Sequence, residues 1–95
     1  MGTPTITIFS SVLRFIEEQV KAVPDHLETG GLLLGSTLDN GRLVTHATPP
    51  GPNAIHQEGM FGKDMDFSQA ILNHLAQKTG VDYVGEWHKH PPFLK

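Results

Sequence analysis

Two histidines near the end of the chain, His88 and His90, have the spacing of a metal-ligand pair. They are two residues apart in the segment GEWHKHP. If this segment is extended, both imidazoles project from one face of a strand, with Cα atoms roughly 7 Å apart. Zinc accepts neutral imidazole, and a catalytic zinc typically has three protein ligands and a water. The simpler alternative is a pair of polar surface residues.

A carboxylate far upstream, Glu28, is the second candidate for chemistry. It lies directly before TGGLLLG, a short apolar run bounded by glycines that predicts a buried strand. Glycines there allow other backbone to approach closely. A glutamate held against the interior would lose hydration, and this raises a carboxyl pKa toward values useful for acid-base catalysis. The alternative is an exposed loop carboxylate.

Together, these two features resemble the JAB/MPN (Mov34/PAD-1) family of zinc metallopeptidases. The family motif is a distant Glu, then H-[ST]-H-P, then S-x-x-D. Here Glu28 precedes a GGLLLG strand and stands 60 residues ahead of His88 in GEWHKHP. The segment YVGEWH-x-HP is most similar to the prokaryotic branch, and the resemblance covers nearly the whole chain.

The resemblance implies a site and an activity. His88 and His90 match the two histidine ligands of Zn²⁺, and Glu28 matches the general acid/base that moves a proton from water to the leaving amine. The family hydrolyses peptide or isopeptide bonds, in many members bonds that link ubiquitin or a ubiquitin-like protein to lysine. We therefore expect a zinc-dependent isopeptidase acting on ubiquitin-like, sulfur-carrier or other protein or peptide substrates. The sequence assigns no substrate-binding residue.

The chain departs from the family motif at two points. Lys89 stands where the family has Ser or Thr; strand alternation should point it away from the metal, although its charge would still disfavour zinc. Only five residues follow His90, and none is a serine or a carboxylate. The third ligand, an Asp, is therefore absent. We expect a single JAB/MPN domain over residues 1–95, C-terminally truncated and incomplete for catalysis.

Other groups are candidates for the missing carboxylate. Asp64 and Asp82 are available within the chain, whereas Asp66 is better explained as a helix cap. A second chain, or the terminal carboxylate of Lys95, is a further source.

The alternatives to an enzyme are a non-catalytic MPN-type scaffold that binds a protein partner and a simple metal-binding module. His56 is a candidate to line the cleft, although an exposed loop position is the simpler interpretation.

Composition limits the function classes. The chain has 95 residues and a formal charge of -3, without a Lys/Arg cluster, which argues against nucleic-acid binding. It has no cysteine, so disulfides, a thiolate nucleophile and Cys-type zinc sites are excluded. The sequence contains neither a signal peptide nor an apolar run of membrane-spanning length, so we expect a cytoplasmic protein without membrane partners.

Apolar periodicity and turn residues predict the elements that position these groups. The first half of the chain predicts a strand over TITIF, a helix capped by Ser10 or Ser11 and ended by Pro24, and a buried strand over residues 30–36. An antiparallel hairpin at Asn40-Gly41 and a loop over residues 49–54 follow. The second half predicts a helix from Asp66 to Gly80 and a strand over residues 81–87. The predicted class is α+β, with a mixed, mostly antiparallel sheet flanked by helices. The resemblance makes this the MPN/JAB, cytidine-deaminase-like fold. An unprotected sheet edge would favour self-association.

Overall fold

The computed structural model describes residues 4–57 and 60–90, which form a four-stranded sheet, a short hairpin and two helices. The elements in chain order are β1 (Thr5–Ile8), α1 (Ser10–Lys21), β2 (Thr29–Leu38), β3 (Gly41–Ala47), β4 (Ile55–Gln57), β5 (Met60–Gly62), α2 (Met65–Thr79) and β6 (Asp82–Lys89). The sheet order is β1-β3-β2-β6, with β1 parallel to β3 and the other pairs antiparallel. The predicted α+β class and mixed, mostly antiparallel sheet are confirmed.

The hairpin between β2 and β3 forms at the predicted place, but its two turn residues are Asp39 and Asn40, one position earlier than the predicted Asn40-Gly41 turn. Leu38 pairs with Gly41 across the turn. Gly41 has a φ of 149°, a conformation that side chains disfavour, and a Cβ there would overlap the carbonyl of Thr5. The amide of Thr5 donates to the carbonyl of Asn40 at 2.9 Å. The turn therefore also fixes the start of β1.

Strand β2 is buried on both faces, which explains its nearly continuous apolar sequence. On one face, Leu32 and Leu34 pack with Val81 beneath α2. On the other face, Val44 and Val84 pack with the α1 side. Strand β2 lies between β3 and β6, so both layers of the core meet on it. No helix in the described part of the chain is long and apolar enough to cross a membrane.

The caps of both helices differ from the predictions. Helix α2 is capped by Asp64, whose carboxylate accepts from the amides of Phe67 and Asn53, each at 3.1 Å. Asp66 lies exposed in the first turn, so its assignment as the cap was wrong by two residues. Helix α1 begins at Ser10 without a side-chain cap. The carboxylate of Asp64 satisfies a free amide of the first turn, which is the ordinary role of an N-cap aspartate.

The end of β3 is locked into the sheet by Thr48, which is fully buried. Its amide donates to the carbonyl of Leu32 at 2.9 Å, and its hydroxyl oxygen accepts from the Leu32 amide at 2.9 Å. Its carbonyl accepts from Nε1 of Trp87, also at 2.9 Å. A single threonine thus connects β3, β2 and β6.

We expect Thr48→Val to lower the free energy of unfolding by about 1–3 kcal/mol, because it leaves the buried Leu32 amide without an acceptor while keeping the side-chain shape. Thr37→Val, at an exposed position of the same sheet, is the control and should change stability by less than about 0.5 kcal/mol. Urea denaturation measures both. Equal stability of the two variants would contradict the assigned role of Thr48.

Candidate metal centre

The pairing of β2 with β6 brings the predicted site residues together. Gly30 pairs with His88, and Thr29 pairs with Lys89. Glu28 directly precedes β2, and His90 directly follows β6, so both lie at the same end of the sheet. Strand β6 extends two residues beyond its predicted end and includes His88. The extended conformation on which the ligand-pair prediction depended is therefore present.

The rings of His88 and His90 lie side by side in an edge-to-face arrangement. Their centroids are 5.6 Å apart and their planes are nearly perpendicular, at 87°. Both residues are exposed. Two imidazoles that bind one tetrahedral zinc at about 2.0–2.1 Å have centroids roughly 5–6 Å apart. The separation of the two rings is therefore compatible with a shared ion, and both rings are accessible to solvent.

The first glycine of the Gly-Gly pair makes room for this arrangement. A Cβ on Gly30 would lie 2.5 Å from Cδ2 of His88, 2.5 Å from the carbonyl oxygen of Trp87 and 3.2 Å from the ring of Phe61. Phe61 contacts His88 edge-on, with ring centroids 5.8 Å apart. Only a residue without a side chain leaves space for the His88 ring against β2.

The β4–β5 hairpin holds the other side of the site. Nδ1 of His56 donates to the backbone carbonyl of Glu28 at 3.0 Å. The His56 ring also contacts Phe61, with centroids 5.6 Å apart, so the hairpin joins Glu28 to His88. His56 is half-buried beside the site and is not simply an exposed loop residue. The hydrogen bond between His56 and Glu28 joins residues 28 positions apart, so no local sequence pattern could indicate it.

Lys89, between the two histidines, lies on the opposite face of β6, as alternation predicted. Its Nζ donates to the carbonyl oxygens of Pro24 at 2.8 Å and Val23 at 3.3 Å. The ammonium group is therefore hydrogen-bonded to carbonyl oxygens of the segment after α1, away from the imidazoles. The charge that was expected to disfavour zinc is directed away from the candidate site.

The described residues supply no third metal ligand: residues 4–57 and 60–90 contain no group of three His, Cys, Asp or Glu that could hold an ion. Asp64 is occupied as the cap of α2. Asp82 lies at the far end of β6, where its carboxylate accepts from the amide of Tyr83 at 2.8 Å. Asp66 is exposed on α2. Lys95, whose terminal carboxylate was another candidate, lies outside the described residues.

Glu86 is an acidic residue close to the site that sequence reasoning did not single out. It precedes His88 by two positions on β6. Lys63 donates to its Oε1 at 3.1 Å, and the Tyr83 hydroxyl donates to its Oε2 at 3.3 Å. The hydrogen bond from Lys63 lowers the pKa of the Glu86 carboxyl below its ordinary value. Both oxygens are already engaged, so Glu86 is not arranged as a metal ligand.

The chain is homologous to bacterial proteins named CD-NTase/cGAS isopeptidase. The relative from Enterobacter hormaechei is 34% identical over 90 residues, which cover 92% of this chain and 48% of the relative. The Pseudomonas aeruginosa relative is 34% identical over 91 residues (92% and 57%), and the Escherichia coli relative is 27% identical over 88 residues (90% and 56%). The chain thus spans about half the length of these curated relatives. No family model matches the chain.

A solved structure shares the fold. The solution structure of a protein from Desulfitobacterium hafniense matches with a TM-score of 0.75 and 21% sequence identity. The match covers 92% of this chain and 57% of that protein. At this identity the likeness shows a common fold alone. The arrangement of β2 and β6 thus occurs within a fold that another bacterial protein also adopts.

We expect Gly30→Ala to displace the His88 ring and to lower the free energy of unfolding by about 1–3 kcal/mol, because its methyl group would overlap a backbone carbonyl. Gly85→Ala, whose added Cβ would lie 3.7 Å from Leu33, is the matched control and should be tolerated. Urea denaturation and the NMR shifts of the His88 ring measure the two effects. Unchanged His88 shifts in Gly30→Ala would show that the glycine does not shape this site.

Proposed function

We propose that this chain carries the site of a zinc-dependent isopeptidase of the JAB/MPN type. The observation that supports this most strongly is the β2–β6 register, which puts the backbones of Glu28, His88 and His90 at the same end of two paired strands. Relatives named CD-NTase/cGAS isopeptidase support the reaction class. The motif order supports zinc.

His88 and His90 would hold the zinc ion. When bound, zinc polarises a carbonyl and lowers the pKa of a bound water. The Glu28 carboxylate would accept a proton from the attacking water and donate it to the lysine amine as the C–N bond breaks. With two protein ligands identified, a third has to come from outside the described residues, from a second chain or from solvent. Zinc dependence and a cytoplasmic location stay predictions.

The substrate class follows from the names of the relatives. We propose a conjugate in which a CD-NTase-type protein is joined by an isopeptide bond to a lysine. Conjugates of ubiquitin-like or sulfur-carrier proteins are the alternative substrates, and a cleavage assay with a second conjugate can test them. The exposed rings of His88 and His90 leave the site open to a chain of this kind.

We expect zinc to bind once per chain at micromolar concentration, and His88→Ala or His90→Ala to weaken binding at least about tenfold, since each removes one direct ligand. His74→Ala, on an exposed position of α2, is the control and should bind as the unaltered chain does. Calorimetric titration measures affinity and stoichiometry. Failure of zinc to bind, or an equal loss in His74→Ala, would contradict the site.

We expect Glu28→Ala to slow cleavage by about 10²–10⁴-fold, because proton transfer by a positioned group contributes that much, while zinc affinity stays within about twofold. The substrate is a CD-NTase joined through an isopeptide bond to a fluorescent lysine-bearing carrier. A ubiquitin-like conjugate of the same carrier is tested in parallel. Glu17→Ala, on the exposed side of α1, is the control. Full activity of Glu28→Ala would contradict its catalytic role.

A non-catalytic scaffold is the second candidate, favoured by the lack of a third ligand among the described residues. It predicts binding of a CD-NTase conjugate without turnover. Binding would then be insensitive to Glu28→Ala and to removal of zinc by a chelator. The isopeptidase proposal predicts zinc-dependent turnover, so one set of assays separates the two candidates.

A further inference from the structure

We infer that Lys89 is a positioning residue that holds Glu28 at the site by tying the loop before it to the histidine-bearing strand. The catalytic part of this inference rests on the proposed function, in which Glu28 moves the proton. The structural part stands separately, on contacts between β6 and the segment that connects α1 to β2.

Lys89 is placed by the same strand that places the two histidines. It pairs with Thr29, the residue directly after Glu28. Because successive side chains of a strand point to opposite faces, the Lys89 side chain leaves the face of His88 and reaches the segment that follows α1. There its Nζ lies 2.8 Å from the Pro24 carbonyl oxygen and 3.3 Å from that of Val23.

The contacted carbonyls begin the turn that leads to Glu28. The amide of Leu27 donates to the same Pro24 carbonyl oxygen at 3.0 Å. A carbonyl oxygen has two lone pairs, so it can accept both donors. The Lys89 ammonium therefore fixes the first residue of a turn whose last residue, Leu27, directly precedes Glu28.

Glu28 is thus restrained from two directions. On the α2 side of the sheet, His56 donates to its carbonyl oxygen at 3.0 Å. On the α1 side, Lys89 anchors the turn that leads into it. Loss of the Lys89 contact would free the turn while the ladder of β2 and β6 stays intact. The expected consequence is a misplaced carboxylate beside an unchanged histidine pair.

A hydroxyl residue at this position would be too short to reach the carbonyls that Lys89 contacts. The four-carbon stem brings three rotatable donors to carbonyls on a different segment, whereas a Ser or Thr hydroxyl lies next to its own backbone. Lys89→Thr should therefore behave as Lys89→Met does. Lys89→Arg keeps the positive charge and N–H donors on a comparably long stem, and should restore most of the function.

We expect Lys89→Met to raise the hydrogen-exchange rate of the Leu27 amide about tenfold or more and to lower kcat about 10–100-fold, since a misplacement of about 1 Å can cost that much. KM and zinc affinity should stay within about twofold. Lys89→Arg should return both the exchange rate and kcat to near the original values. Lys78→Met, at an exposed position of α2, is the control. If Lys89→Met does not fold, the shorter polar variant Lys89→Gln replaces it.

Three outcomes would overturn the inference. The first is an unchanged Leu27 exchange rate in Lys89→Met. The second is a loss of zinc affinity as large as the loss of kcat, which would mean that Lys89 acts on the histidines. The third is a further loss of cleavage when Lys89→Met is added to Glu28→Ala. If Glu28→Ala itself cleaves normally, the proposed function fails, and the Leu27 exchange rate still decides whether Lys89 holds the turn.

Discussion

The candidate site depends on the register in which β6 pairs with β2. A slip of one residue would move every β6 side chain to the other face of the sheet. His88 would then point toward α1, and Trp87 would lose its hydrogen bond to the Thr48 carbonyl. That indole bond, together with the two bonds between Thr48 and Leu32, fixes the register from the buried side. The positions of the exposed site residues therefore depend on the buried hydrogen bonds of Thr48.

The two adjacent glycines of β2 serve the two faces of this arrangement separately. Gly30 leaves space for the His88 ring and Phe61 on one face. A side chain on Gly31 would meet the backbone and hydroxyl oxygens of Thr48 and the indole of Trp87 on the other face. The Gly-Gly pair thus permits a site on one side and a packed core on the other, at neighbouring residues of one strand.

The local features of the sequence predicted much of the fold. The assignment of Glu28, His88 and His90 as site residues stays a prediction. The alternation of apolar residues in the strands, the hairpin near Asn40-Gly41 and the end of α2 at Gly80 depend on neighbouring residues. The hairpin and the helix end are both present in the structure. The contacts of His56 and Lys89 could not be predicted in this way, because their partners lie 28 and about 65 residues away. The cap at Asp64 forms through the amide of Phe67, only three residues on, so the local sequence could have indicated it; the second bond, from the Asn53 amide, depends on a distant residue.

The central claim is that His88 and His90 form one metal centre with Glu28 beside it. A crystal of the chain soaked in zinc tests this directly through the anomalous signal of the metal. The account predicts a peak about 2.0–2.1 Å from a nitrogen of each of the two rings, on the side of the sheet where Glu28 lies. A peak at another histidine such as His46 or His74, or contact with only one ring of the pair, would contradict it.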